Sequence, residues 1–129
     1  MIYEFCAENV TLLEKAMQAG ARRIELCDNL AVGGTTPSYG VTKAAVELAD
    51  DYDTTIMTMI RPRGGDFVYN DLEISIMLED IRLTAQAGSQ GVVFGALIAD
   101  KKLDKANLEK LIAASKGMEI VFHMAFDEL

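Results

Sequence analysis

Short stretches in which apolar and polar residues alternate take turns with longer ones whose apolar positions recur every three or four residues. Alternation with period two marks a strand and the longer period marks a helix packed on one side. Ile2 to Cys6 reads as a first strand. Asn9 can then cap a helix that carries Leu12, Leu13, Ala16 and Met17 on one side and ends at Gly20. Arg23 to Cys27 reads as the second strand, and a loop rich in Gly, Thr and Pro follows from Val32 to Gly40. The next helix runs through Ala44, Ala45, Leu48 and Ala49, and Thr55 to Arg61 forms a third strand. After the loop Arg61-Pro62-Arg63-Gly64-Gly65-Asp66, Asn70 or Asp71 opens a long helix. Its apolar side is Ile74, Met77, Leu78, Ile81 and Ala85, and Gly88 closes it. Gly91 to Ala96 is the fourth strand. Asp104 opens a helix with Leu108, Leu111, Ile112 and Ala114 inward, and Glu119 to Met124 is the fifth strand.

Strand–helix alternation without hairpin signals predicts an α/β fold with a parallel sheet and helical crossovers. The strands of an open doubly wound sheet are covered on both faces and read as continuous apolar runs. Here polar residues occupy alternate positions: Glu4 and Cys6; Arg23, Glu25 and Cys27; Arg61; His123. With Phe5, Ile24, Leu26, Ile60, Ile120 and Phe122 toward the helices, the polar set faces an enclosed axis. That predicts part of a (β/α) barrel, five strands and four crossover helices where a closed barrel needs eight. The expectation is a single partial-barrel domain over residues 1–129, and an uncovered parallel edge could pair two copies into a homo-oligomer.

Composition narrows the function. Half of the 129 residues are apolar, enough for one core, and 25% are charged. A net charge of -8 argues against nucleic acid as a partner. The longest apolar runs, such as Gly91 to Ala99, are too short to span a membrane. The N-terminus lacks a basic region followed by an apolar core, so no signal peptide is expected. Two cysteines in such a chain suggest free thiols in a reducing cytoplasm.

Those two cysteines sit alike, in Glu4-Phe5-Cys6 and Glu25-Leu26-Cys27. On parallel neighbouring strands their thiols would lie roughly 5 Å apart or somewhat more. That is near-range for one soft metal ion, and equally for two thiols that simply pack as small hydrophobes.

Several blocks carry a family resemblance. Glu4-Phe5-Cys6-Ala7-Glu8-Asn9, Arg23 to Leu30, Gly33-Gly34-Thr35-Thr36-Pro37-Ser38, Arg61 to Phe67 and Phe122 to Asp127 resemble the CutC family, in family order across nearly the whole chain. The resemblance implies a TIM barrel lacking roughly its last three strands here, and a role in copper homeostasis. Cu(I) prefers thiolate and thioether ligands. Cys6 and Cys27 are then the candidate copper ligands, with Met57, Met59, His123 or Met124 as outer contributors.

A second reading is an enzyme. Barrel active sites lie at the C-terminal ends of the strands, which here would collect Cys6, Glu8, Cys27, Asp28, Asn29, Arg61, Arg63, His123 and Asp127. Arg61 and Arg63 around Pro62, followed by Gly64 and Gly65, suit a small anionic ligand, a carboxylate or phosphate. The alternative for Arg61 is a structural pair with Glu25 or Asp28. Glu25, His123 and Asp127 are the candidate acid/base residues, Glu25 because an axial position would desolvate it. The remaining charges, among them Glu79, Asp80 and Arg82, fit solvated helix faces.

Overall fold

The computed structural model describes residues 4–122. Its elements are β1 (Glu4–Glu8), α1 (Leu13–Gln18), β2 (Arg23–Cys27), a 3-10 turn (Leu30–Val32), α2 (Tyr39–Asp50), β3 (Thr55–Met59), α3 (Asp71–Ala87), β4 (Gly91–Phe94), α4 (Lys105–Ala114) and β5 (Glu119–Phe122). His123, Met124 and Asp127 lie outside the described residues.

The five strands are all parallel and stand in sequence order, β1-β2-β3-β4-β5. Right-handed crossovers that always step in the same direction put every helix on the same side of the sheet. Consecutive helices accordingly pack on one another, α1 on α2, α2 on α3 and α3 on α4. This is the arrangement of a TIM barrel, here part of one. Two apolar clusters fill the space between sheet and helices. One gathers Ile24, Leu26 and Ile56 with Leu13, Met17, Ala45 and Ala49. The other gathers Ile60, Val92 and Phe94 with Ile74, Met77, Ile81 and Leu111. A third, smaller cluster occupies the opposite, inner face: Cys27, Met57, Met59 and Val93. Phe5 and Phe122, expected to face the helices, are half-exposed on the two outer strands.

The inner face curls. Arg23 of β2 reaches over β3 and β4 to place Nη1 2.8 Å from Glu119 Oε1 on β5. In a flat sheet those strands would stand about 14 Å apart, so the pair spans a concavity. Gly91 lies between them in the row Glu25, Met57, Gly91, Glu119. A Cβ there would stand 2.5 Å from Met57 Sδ and 2.6 Å from the Glu119 carbonyl oxygen. Only glycine lets the Met57 side chain lie across β4.

Element ends depend on the caps. Asn70 begins α3 with a capping box: its side chain accepts from Glu73 N, while the Glu73 carboxylate accepts from Asn70 N. Gly88 ends the same helix at φ 93°. Ser38 caps α2 and Asp104 caps α4. The first helix departs from expectation. Asn9 does not cap it but bends the chain at φ 59°, and α1 starts only after Leu12, itself at φ 61°. In α4, Ile112 and Ala114 face solvent rather than the core, because Leu108 and Leu111 suffice to seal the sheet there.

Candidate functional site

The inner face ends in a cavity of about 310 Å³, lined by Cys6, Glu25, Cys27, Leu30, Gly33, Met59, Val93, Val121 and Phe122. Cys6 and Cys27 therefore share one hollow, though not one row. Cys6 stands opposite Glu25, and Cys27 stands opposite Glu8. The two cysteines are diagonal neighbours, about 8 Å apart at Cα for that offset. A disulfide would need the backbone to move, and the two cysteines form none. Met59, on the strand beside Cys27 and 7% exposed, adds a thioether to the same wall.

Their surroundings differ. Cys6 is exposed and Cys27 is buried at 2% exposure. The Cys27 thiol donates to the Ala7 carbonyl at 3.6 Å. Burial, reinforced by the negative charges of Cys6, Glu25, Glu8 and Asp28, pushes its pKa from 9.0 up to about 11. At neutral pH Cys27 is a protonated thiol, which does not suit a nucleophile.

A roof covers Cys27. After β2 the chain turns back so that Asp28 and Thr35 exchange backbone hydrogen bonds, 2.9 and 2.8 Å. This lays Gly34, at φ 97°, against the thiol: a Cβ there would sit 3.2 Å from Cys27 Sγ and 3.5 Å from Met59 Cε. Arg61 holds the roof from the end of β3. Its Nη1 donates to the carbonyls of Val32 (2.6 Å) and Gly34 (3.1 Å), and its Nη2 to that of Gly65 (2.8 Å). The guanidinium lies 4.8 Å above the centre of the Phe67 ring and the residue is 3% exposed.

The expectation of an anion grip at Arg61, Arg63, Gly64 and Gly65 therefore meets a different geometry. Arg61 spends its outer donors on carbonyls, not on Glu25 or Asp28, because the returning loop points those carbonyls at the guanidinium. Arg63 binds Glu73 (Nε to Oε2, 2.5 Å), Asp66, and the carbonyls of Gly64, Asp66 and Val68. Those carboxylates hold Arg63 firmly protonated. A backbone hydrogen bond from Val68, then Arg63, lowers the Asp66 pKa, and Arg63, then the Asn70 amide, lowers that of Glu73. Gly64 packs on Val32, where a Cβ would meet its side chain at 2.9 Å, and Gly65 supplies a carbonyl to Arg61. Beside them the buried Tyr69 hydroxyl is pushed up to about 12, mainly by desolvation and against the pull of both arginines.

Of the acid/base candidates, Glu25 is on the cavity wall. His123 and Asp127 lie outside the described residues. Among the described residues, no three His, Cys, Asp or Glu side chains converge to hold a metal ion.

The model of the CutC family matches residues 1–129, the entire chain. This chain belongs to the CutC family. A CutC family protein of Streptococcus pyogenes serotype M6 is 56% identical over 129 residues, and one from Enterococcus faecalis is 53% identical. In each case all of this chain aligns with 62% of the relative, so the chain spans under two-thirds of the length of these CutC proteins. A crystal structure of CutC from Streptococcus agalactiae, named there provisionally as a copper homeostasis protein, superposes with a TM-score of 0.96 at 50% identity. It is covered over 61% of its length. A Burkholderia cenocepacia structure, 16% identical with a TM-score of 0.60, shares the fold alone.

Three positions in and behind this site make contacts that the sequence did not disclose. Gly34 was visible only as half of a double glycine, although its contact with Cys27 depends on the loop's return. Arg61 carried the right charge but its carbonyl partners have no signature in sequence. Gly91 began a strand, where a glycine is a usable sign of close approach.

Proposed function

We propose that the protein binds Cu(I) as a cytoplasmic copper homeostasis protein, with the thiolates of Cys6 and Cys27 as ligands and Met59 as a thioether contributor. The observation that carries this is the shared cavity: the chain's only two cysteines and a buried methionine line one hollow at the end of the inner face. Sulfur of both kinds suits Cu(I). Acidic neighbours at Glu8, Glu25 and Asp28 raise the Cys27 pKa through their charge, and the same field favours a cation. The name given to the Streptococcus agalactiae relative points the same way. The competing enzyme of small anions needs guanidinium donors that Arg61 and Arg63 already use. Competition of Cu(I) between the reduced protein and a chelator tests the proposal. One-site binding lost in Cys6→Ala/Cys27→Ala supports it, and binding unchanged in that variant refutes it.

A further inference from the structure

The two thiols are not equivalent, and the difference has a physical cause in the loop that follows β2. Cys6 is open to solvent, whereas Cys27 lies under Gly34. Nothing on β2 itself hides Cys27, which stands at the strand's last position. Met57, Met59 and Val93 pack with it on the inner face, and the returning loop of residues 28–36 completes the cover. That loop has its own backbone bridge between Asp28 and Thr35 and two external ties: Leu30 N donates to Glu8 Oε1 at 2.7 Å, and the Arg61 guanidinium holds Val32 and Gly34. Thr36 adds a second link to the same residue: Thr36 N donates to the Arg61 carbonyl at 3.0 Å, and Arg61 N donates to Thr36 Oγ1 at 2.8 Å.

We infer that Arg61 is a positioning residue for the thiol site: it latches the 28–36 loop over Cys27, so that Cys6 meets an incoming ion first and Cys27 engages only when the loop lifts. The inference rests on the proposed Cu(I) site for its purpose, but the latch itself is independent of copper. Three arrangements make it specific. Arg61 Nη1 holds two loop carbonyls while Nη2 reaches that of Gly65, a planar three-acceptor spread that a single ammonium cannot reproduce. Its third bond, to Gly65, and the Phe67 ring anchor it to the loop that follows β3. Arg61 Nε is buried with no partner, so the latch gives up one hydrogen bond to keep the other three, and its closed state is not an optimum for this side chain.

Alkylation of the metal-free, reduced protein, followed residue by residue with mass spectrometry, tests the latch. Cys6 is expected to react at least a hundredfold faster than Cys27. Cys27 labelling should rise only shallowly with urea below the unfolding transition, the mark of a local opening. Arg61→Lys is expected to speed Cys27 labelling tenfold or more and to leave Cys6 unchanged. Equal rates at the two cysteines overturn the latch. So does Cys27 labelling that tracks global unfolding in the native protein, a result that decides the matter even where Arg61→Lys fails to fold. A rate unchanged in folded Arg61→Lys also overturns it. Cu(I) titration is run beside these: a working latch without Cu(I) binding removes the proposed function only, and Cu(I) binding with no latch removes this inference only.

Discussion

At the proposed Cu(I) site, Cys27 makes affinity a matter of protons. Its thiol must lose a proton to bind as a thiolate, and its pKa stands at about 11 where an ordinary cysteine has 9.0. At pH 7 that lowers the ionised fraction from about one in a hundred to about one in ten thousand. At neutral pH the apparent affinity is therefore held down by the proton that Cu(I) must displace from Cys27. Raising pH restores it: log K should climb by one for each pH unit through Cys27 alone, and more steeply where Cys6 also releases a proton. An ordinary thiol would stop contributing above pH 9, whereas Cys27 should go on contributing toward pH 11. Glu25→Gln removes one of the charges that raise this pKa, so its break should come at lower pH. The assay is Cu(I) competition against a chelator of flat pH response, from pH 6 to 10. A log K independent of pH, or a break at pH 9, refutes the reasoning. The apo protein has a matching signature of opposite sense. The raised pKa supports the fold fully below pH 9, and that support is lost as pH rises from 9 to about 11. Cys27→Ala should lack this alkaline loss in urea melts.

Other outcomes follow from single contacts. Gly91→Ala should cost about 3 kcal/mol in urea denaturation, and adding Met57→Ala should not restore it, because the Glu119 carbonyl at 2.6 Å cannot swing away. Met59→Leu keeps the volume and should change stability by less than about 1.5 kcal/mol; a thioether ligand predicts one fewer sulfur in the X-ray absorption of the Cu(I) form, and an unchanged spectrum assigns Met59 to packing. Asn70→Ala should cost about 1 kcal/mol, read from the urea midpoint. Glu73→Ala should cost more, since it removes the other half of the cap and the Arg63 Nε acceptor together.

The alternation of Arg23, Glu25 and Cys27 with Ile24 and Leu26 was enough to foresee a barrel, because period two separates the faces without any knowledge of partners. The long-range register was not foreseeable. Whether Cys6 meets Glu25 or Cys27 depends on where β1 slides against β2, and both alignments keep the same residues inward. The start of α1 escaped for a local reason: Asn9 is a good cap by type, but it tolerates positive φ, and here it turns the chain while its side chain accepts from Val10 N. Arg61 was read as either an anion ligand or a partner of Glu25 or Asp28, because its charge is local information and its three carbonyl acceptors are not. Those come from residues 32, 34 and 65 and meet only when both loops are folded.

Under the proposed Cu(I) site, the two readings of Cys27, core packing and metal ligation, describe different protonation states of one arrangement. A thiol at 2% exposure beneath Gly34 packs as a small apolar group for as long as it keeps its proton. Burial does not disqualify it as a ligand; burial sets the cost of the proton that a metal must displace. The acidic neighbours act in two directions at once, since their charge holds the proton on Cys27 and also draws a cation toward it. A Cu(I) ion that replaces the proton keeps one positive charge beside Glu8 and Glu25, so the field that opposes a bare thiolate does not oppose the metal complex. Occupancy should therefore depend on pH far more than on salt, and a titration dominated by ionic strength would point to the exposed carboxylates instead of the thiols.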